Sequence, residues 1–258
     1  IQKLQGFGEK SEEDILTGLE LIKKSHERML LSNVRPIANA IVNELSSLKE
    51  ISKIDIAGSI RRMKETVKDI DILISSEKPG SIMDFFVKLK DVKKVIAKGM
   101  TKSSVILKEG INCDLRIVKE ESYGGALAYF TGSRDHNIRM RQIALKNSMK
   151  LSEYGLFSRK NKYLCGKNEE EIYAKLKLPY IEPEMRENTG ELELKKAPEL
   201  IKYSKIKGDL HLHTSWSDGV NTTEEMVKGA ITLGYEYISI TDHSKSAYIA
   251  NGIDEKRF

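Results

Sequence analysis

Asp69 and Asp71 stand two residues apart in an Asp-Ile-Asp run, and a third carboxylate, Asp114, follows in Asn112-Cys113-Asp114-Leu115-Arg116. Ile70 to Ile74 alternates as a strand, so Asp69 and Asp71 point to one face. Ser103 to Lys108, Glu109-Gly110 and Ile111 to Val118 read as a hairpin that can carry Asp114 alongside that pair. Three carboxylates in one place repel by about 4 kcal/mol per pair at ~4 Å and an effective dielectric of roughly 20. Divalent cations relieve such repulsion, and hard oxygen ligands select Mg²⁺ or Mn²⁺. Two ions of this kind clamp the attacking and leaving oxygens of a phosphoryl displacement. The plain alternative for the Asp-Ile-Asp run is an exposed strand end with solvated charges.

The residues upstream argue for the metal reading. Asp55-Ile56-Ala57 reads as a short strand, and Gly58-Ser59 is the turn out of it. Such a turn at a helix start brings backbone N–H groups and a hydroxyl up to a phosphate, and Arg62 adds a fixed positive fork. Further along, Gly124-Gly125 opens a short helix that Tyr129-Phe130-Thr131-Gly132 interrupts. Gly132 permits a bend there, and Ser133 can cap the next helix. Asn137 and Arg141, four apart on that helix, share a face that suits minor-groove acceptors of a base pair. The plain alternative is a basic helix face with two core aromatics.

Two more segments could carry chemistry. Leu4-Gln5-Gly6-Phe7-Gly8 has a Gly-x-Gly turn that lets amides approach a phosphate, or else is a simple helix–helix turn, with Ser11 capping the next helix. In Asp209-Leu210-His211-Leu212-His213 both histidines face one side of a strand. Thr214 to Gly219, including Asp218, follows as a loop, and Thr222-x-x-Glu225 is a capping box opening a helix to about Leu233. Tyr237 to Ile240 is the next strand, closed by Thr241-Asp242-His243. Histidines and aspartates at the ends of strands in a β-α-β unit read as a metal site at a barrel mouth.

These elements must be positioned by a chain of 258 residues, long enough for more than one domain. The net charge of +5, from 43 basic and 38 acidic residues, is compatible with a nucleic-acid partner. Cys113 and Cys165 have no motif spacing and read as ordinary thiols of a reducing cytosol. No apolar run approaches a membrane span, so the protein reads as soluble. An amphipathic helix is expected around Ile37, Ile41, Leu45 and Leu48, and a hairpin from Tyr154 to Leu164 with Arg159-Lys160-Asn161-Lys162 at its turn. The polar stretch from Glu182 to Lys207 reads as a linker. An opening Ile1 and an end just inside a new domain read as a fragment of a longer polypeptide.

Gly58-Ser59-Ile60-Arg61-Arg62, six residues, then Asp69-x-Asp71 resembles the nucleotidyltransferase signature of the family X DNA polymerases, the family of polymerase beta. Tyr129 to Ser133 with Asn137 and Arg141 resembles that family's thumb motif. His211-x-His213 to Gly219, with Thr241 to Ser244, resembles the polymerase and histidinol phosphatase (PHP) domain of its bacterial and archaeal members. The resemblance implies an α+β fold: a nucleotidyltransferase palm with helical DNA-binding fingers and a small α/β thumb, followed by the start of an incomplete β/α barrel. By residue, that is the end of helix-hairpin-helix fingers at 1–31, palm at 32–118, thumb at 119–185, linker at 186–205 and PHP domain from 206.

It further implies a DNA-directed DNA polymerase acting in gap filling or base-excision repair. Asp69, Asp71 and Asp114 would hold two Mg²⁺ ions, with Mn²⁺ as a substitute. Gly58, Ser59 and Arg62 would meet the triphosphate, Tyr129, Phe130 and Gly132 the sugar pocket, and Asn137 the incoming base. Gly6, Gly8, Arg116 and Arg141 would touch DNA. His211, His213, Asp218 and His243 would be a partial set for Mn²⁺ or Zn²⁺, the family's remaining ligands lying further along. Lys68 stands where the family often has Gly, and Asn112 where polymerase beta has Arg, so proton handling near the primer terminus is expected to differ. The implied partners are gapped or primed DNA and deoxynucleoside triphosphates, for a cytoplasmic monomer with no membrane attachment. Two alternatives stand beside this: a metal-dependent DNA-end phosphoesterase or 3′–5′ exonuclease, and a non-catalytic DNA-binding fragment.

Overall fold

Alternation along Asp69-Ile70-Asp71-Ile72 sets the layers of the palm, because Ile70, Ile72 and Ile74 must leave water on one face. The computed structural model describes Gly8 and residues 28–257, so the Gly-x-Gly turn at Gly6 and the rest of the expected fingers lie outside the described residues. Gly8 itself is exposed, with open space around it. The chain divides into two compact units, Ile1–Ala197 and Pro198–Phe258.

The first unit begins with β1 (Met29–Leu30), α1 (Leu31–Leu45), β2 (Lys53–Ile56), α2 (Gly58–Arg61), β3 (Thr66–Val67) and β4 (Asp69–Ser75). Then come α3 (Pro79–Phe86), β5 (Val92–Lys98), β6 (Lys102–Leu107) and β7 (Asn112–Val118). The thumb region adds α4 (Tyr123–Thr131), α5 (Arg134–Lys146), β8 (Met149–Ser152), β9 (Gly155–Ser158), β10 (Tyr163–Cys165) and α6 (Glu169–Lys175). The second unit holds β11 (Gly208–Leu212), α7 (Thr223–Thr232) and β12 (Tyr237–Ile240).

A five-stranded sheet of order β2-β4-β7-β6-β5 forms the palm, with β4 and β7 parallel and the other pairs antiparallel. Val34, Ala38, Ile41 and Leu45 of α1 and Ile82, Met83 and Phe86 of α3 cover one face, against Ile70, Ile72, Ile74, Cys113, Leu115 and Ile117. Leu48 lies beyond the end of α1 yet packs on this core. Near β2, the other face is closed by Tyr123, Ala126 and Leu127 of α4 against Leu73. The remainder of that face carries Asp69, Asp71 and Asp114.

The thumb folds α5 and α6 with the three-stranded sheet β10-β9-β8 around Met140, Ala144, Leu156, Ile172 and Tyr173. The stretch read as a linker does not behave as one before Ala197. Arg186, Glu191 and Leu192 are all buried in the first unit, and Ser133 N–H donates to the Arg186 carbonyl at 2.9 Å. Polarity alone misleads here because the charges are paired inside. Glu191 accepts from His136 Nδ1 at 2.6 Å and from the backbone N–H groups of Asn188 and Thr189 at 2.8 and 2.7 Å. The opposite imidazole nitrogen lies 2.8 Å from the Tyr173 hydroxyl.

Glu169 joins palm to thumb. Arg61 donates to both its oxygens at 3.0 and 2.7 Å, Arg186 donates to Oε1 at 2.5 Å, and the Tyr180 hydroxyl donates to Oε2 at 3.0 Å. Burial by itself would raise the Glu169 carboxyl; the Arg61 bonds and the charge of Arg186 outweigh it and bring the pKa to about 2. Removing one member strands the others in a low dielectric, at a cost of about 3–5 kcal/mol. Glu169→Ala should therefore lower the unfolding free energy of the first unit by that order in a urea titration followed by circular dichroism. The folded pKa lies below the ordinary 4.5, so the wild-type advantage should be full above that pH and disappear as pH falls through about 2.

Candidate functional site

Parallel pairing of β4 with β7 sets Asp71 directly opposite Asp114, with Asp69 opposite Asn112. All three carboxylates are only partly exposed and emerge on the same face of the sheet. Burial, followed by the charges of Asp69 and Asp114, pushes the Asp71 carboxyl up to about 7, while Arg116 and Lys102 act the other way. Burial and then the Asp114 charge also raise Asp69, opposed by Lys68. Asp114 is paired with Lys102 of β6, Nζ to Oδ2 at 2.5 Å. The carboxylates are partly withdrawn from water, the Asp114 charge raises both Asp69 and Asp71, and the donors are hard oxygens. That is a set suited to divalent cations.

The turn after β2 approaches this group as closely as glycine allows. Gly58 has φ +62°, and a Cβ there would come within 2.4 Å of Asp71 Oδ2. No other residue fits without displacing the carboxylate. Ser59 follows at the start of α2, partly exposed. The expected arginine fork is divided between two jobs. Arg61 turns inward to Glu169 and Thr131. Arg62 sits at the cleft, its Nε donating to Glu187 at 2.8 Å and its Nη1 to the Thr131 carbonyl. Gly132, at φ +73°, leaves room for that guanidinium, since a Cβ would stand 3.1 Å from Arg62 Nη1.

Ser133 caps α5, its Oγ accepting from His136 N–H at 3.3 Å. On that helix, Asn137 donates to the Tyr129 carbonyl at 2.6 Å. A cleft of about 480 Å³ brings together Gly58, Ser59, Arg62, Asp69, Asp71, Tyr129, Phe130, Gly132, Asn137 and Arg141. Arg28, Lys64, Lys68 and Arg134 line it as well. Of these, Lys68 directly precedes Asp69 and Arg134 directly follows Ser133. Arg28 and Lys64 carry no motif, and only the fold brings them here. Arg116 is not a member of that lining: it lies over the Phe130 ring, 4.2 Å from the centroid, and its buried Nε has no partner.

In the second unit, β11 and β12 are parallel, with α7 between them opened by the Thr222–Glu225 capping box. His213, Asp218 and His243 offer ligand atoms within 4.8 Å of one another. Asp218 accepts from His213 Nδ1 at 2.9 Å and faces His243 Nε2 at 3.6 Å. His211 is exposed and lies outside this triad, its ring stacked on His213 at 5.0 Å. Asp242 holds the intervening loop, accepting from Thr214 N–H, Thr214 Oγ1 and Ser217 Oγ at 2.7, 2.6 and 2.6 Å. Among the described residues, no helix is long and apolar enough to cross a membrane.

Comparison with known proteins agrees with this layout. The family model of the DNA polymerase beta palm matches residues 28–148, that of the DNA polymerase beta thumb residues 126–187, and that of the PHP domain residues 209–254. The chain is 43% identical over its whole length to the DNA polymerase/3′-5′ exonuclease PolX of Bacillus subtilis (strain 168), spanning 46% of that protein. It is 38% identical over 77 residues to the DNA nucleotidylexotransferase of Xenopus laevis, 29% of this chain and 15% of that one. The chain thus spans less than half the length of either relative. Leishmania infantum polymerase beta in a ternary P/T complex superposes with a TM-score of 0.59 at 20% identity, over 72% of this chain and 96% of that one.

A proton and a divalent cation would compete for the Asp71 carboxylate, which burial, then the charges of Asp69 and Asp114, pushes up to about 7 from the ordinary 3.8. In a chain carrying His213→Ala, to silence the second unit, Mn²⁺ affinity should rise about tenfold between about pH 6 and pH 8. Electron paramagnetic resonance of free Mn²⁺ reads this directly, and Asp71→Asn should remove most of the slope.

Proposed function

The chain belongs to the family X DNA polymerases, and we propose that it adds deoxynucleotides to a primer 3′-hydroxyl under the direction of a DNA template, in the filling of short gaps. The observation that carries this reading is the union, in one cleft, of the paired carboxylates of β4, the Gly58-Ser59 turn and the thumb residues Tyr129, Asn137 and Arg141. Asp69 and Asp71 would hold two Mg²⁺ ions jointly, and Asp114 the one serving the primer hydroxyl. Bound there, the ions would lower the pKa of that hydroxyl and neutralise charge on the phosphates.

The chain's own groups position the reactants. The amides of the Gly58 turn, the Ser59 hydroxyl and the remaining donors of Arg62 would hold the triphosphate, leaving its α-phosphorus facing the primer. Tyr129 and Phe130, packed edge to face with centroids 5.1 Å apart, would form the wall against the sugar. Asn137 would meet the base and Arg141 the template. Asn112 brings no charge to the primer terminus, and its Oδ1 is buried without a partner.

A second reading, phosphoester hydrolysis at DNA ends by the PHP segment, is favoured by the cluster of His213, Asp218 and His243. The two activities separate by mutation. Asp114→Ala should reduce Mg²⁺-dependent extension of a gapped primer more than about 100-fold while leaving DNA binding in EDTA intact. Extension within a fewfold of wild type would overturn the assignment.

A further inference from the structure

The thumb sheet turns Leu151, Leu156 and Leu164 into its core, which leaves the alternate residues on an outer face. Lys150 stands opposite Phe157, and Phe157 opposite Tyr163, so the three form one row across that face. The two rings meet edge to face, with centroids 5.7 Å apart at 75°. Neither belongs to a hydrophobic core cluster, and Tyr163 is 41% exposed. The tyrosine ring is held in place. It lies over Gly155, where a Cβ would come 3.2 Å from Tyr163 Cε2, and its hydroxyl donates to the Glu121 carbonyl at 2.6 Å.

Basic residues adjoin the row on one side. Lys150 is a member of it, and Arg159, Lys160 and Lys162 lie in the turn that carries the chain from Phe157 to Tyr163. All four are exposed, and none forms an ion pair among the described residues. On the other side of Tyr163 the charges are mixed, with Glu121, Glu171 and the Lys167–Glu120 pair acting there. A fixed aromatic pair flanked on one side by unneutralised cations matches a ligand that offers both phosphates and free base faces. Unpaired DNA offers both, whereas a duplex hides its base faces in the stack.

We propose that the outer face of the thumb sheet binds an unpaired stretch of DNA strand, with bases stacked on Phe157 and Tyr163 and phosphates on Lys150, Arg159, Lys160 and Lys162. The inference rests on the reading of this chain as a template-using polymerase, for which unpaired template is the strand at hand. Cationic side chains supply affinity for any phosphate backbone; the rings supply the preference for unpaired bases.

The test uses the whole chain in EDTA, with fluorescence anisotropy on a labelled oligothymidylate of about 12 nucleotides and on a blunt duplex of equal length. Phe157→Leu, a substitution that keeps bulk, should weaken oligothymidylate binding about 5- to 100-fold and duplex binding less than about twofold. Lys160→Gln with Lys162→Gln should weaken both and reduce the salt slope by about 1 to 2. Equal loss on both ligands in Phe157→Leu, or no loss with unchanged circular dichroism, would overturn the proposal. With Mg²⁺, Phe157→Leu should fill a one-nucleotide gap normally and copy a long overhang more slowly. Because the EDTA arm needs no catalysis, a chain that fails to polymerise yet binds oligothymidylate through Phe157 refutes the polymerase reading alone.

Discussion

Mutual repulsion among Asp69, Asp71 and Asp114 is the constraint around which the palm is arranged. The pairing of β4 with β7 that opposes Asp71 to Asp114 is the same pairing that buries Ile70, Ile72, Cys113 and Leu115. A one-residue slip of either strand would move its carboxylates into the core and its isoleucine or leucine side chains into water. Hydrophobic burial therefore holds together charges that would otherwise separate. Burial and then this repulsion raise the pKa values of Asp69 and Asp71, and Lys102 relieves part of the repulsion at Asp114.

Repulsion of this kind needs rigid surroundings if cations rather than structural relaxation are to relieve it. Gly58 closes one side, with Asp71 Oδ2 where a side chain would otherwise begin. The other side is held from the thumb. Adjacent arginines diverge there: Arg61 is drawn into the buried Glu169–Arg186 group, while Arg62 remains at the cleft, tied to Thr131 and Glu187. One short helix thus anchors palm to thumb with one residue and faces the cleft with the next. The raised pKa of Arg61, where attraction to Glu169 outweighs burial, reflects the same anchoring.

Local patterns made much of this legible in the sequence. The Ile70–Ile74 alternation, the 102–118 hairpin with Gly110 at φ +87°, the Ser133 cap and the Thr222 capping box all depend on neighbours a few residues apart. What composition could not reveal was long-range pairing. Arg186 looks like a solvated linker residue, yet its side chain is 0% exposed, with its Nη1 received by Glu169 and its Nε by the Ile181 carbonyl. Glu191 is hidden for the same reason by His136. The four-residue ligand set expected around His211 reduces to a triad, since His211 stacks on His213 and does not converge with Asp218. Side-chain direction at a strand end is decided by the following loop, and Asp242, not the spacing, organises that loop.

We propose that the palm carboxylates form one centre for two divalent ions. Anomalous diffraction from crystals of the chain grown with Mn²⁺ and a non-hydrolysable deoxynucleotide tests it most directly. Two manganese peaks are expected in the first unit, both in contact with Asp69 and Asp71 and one also with Asp114. Manganese confined to the His213–Asp218–His243 cluster, with none among the palm carboxylates, would contradict it.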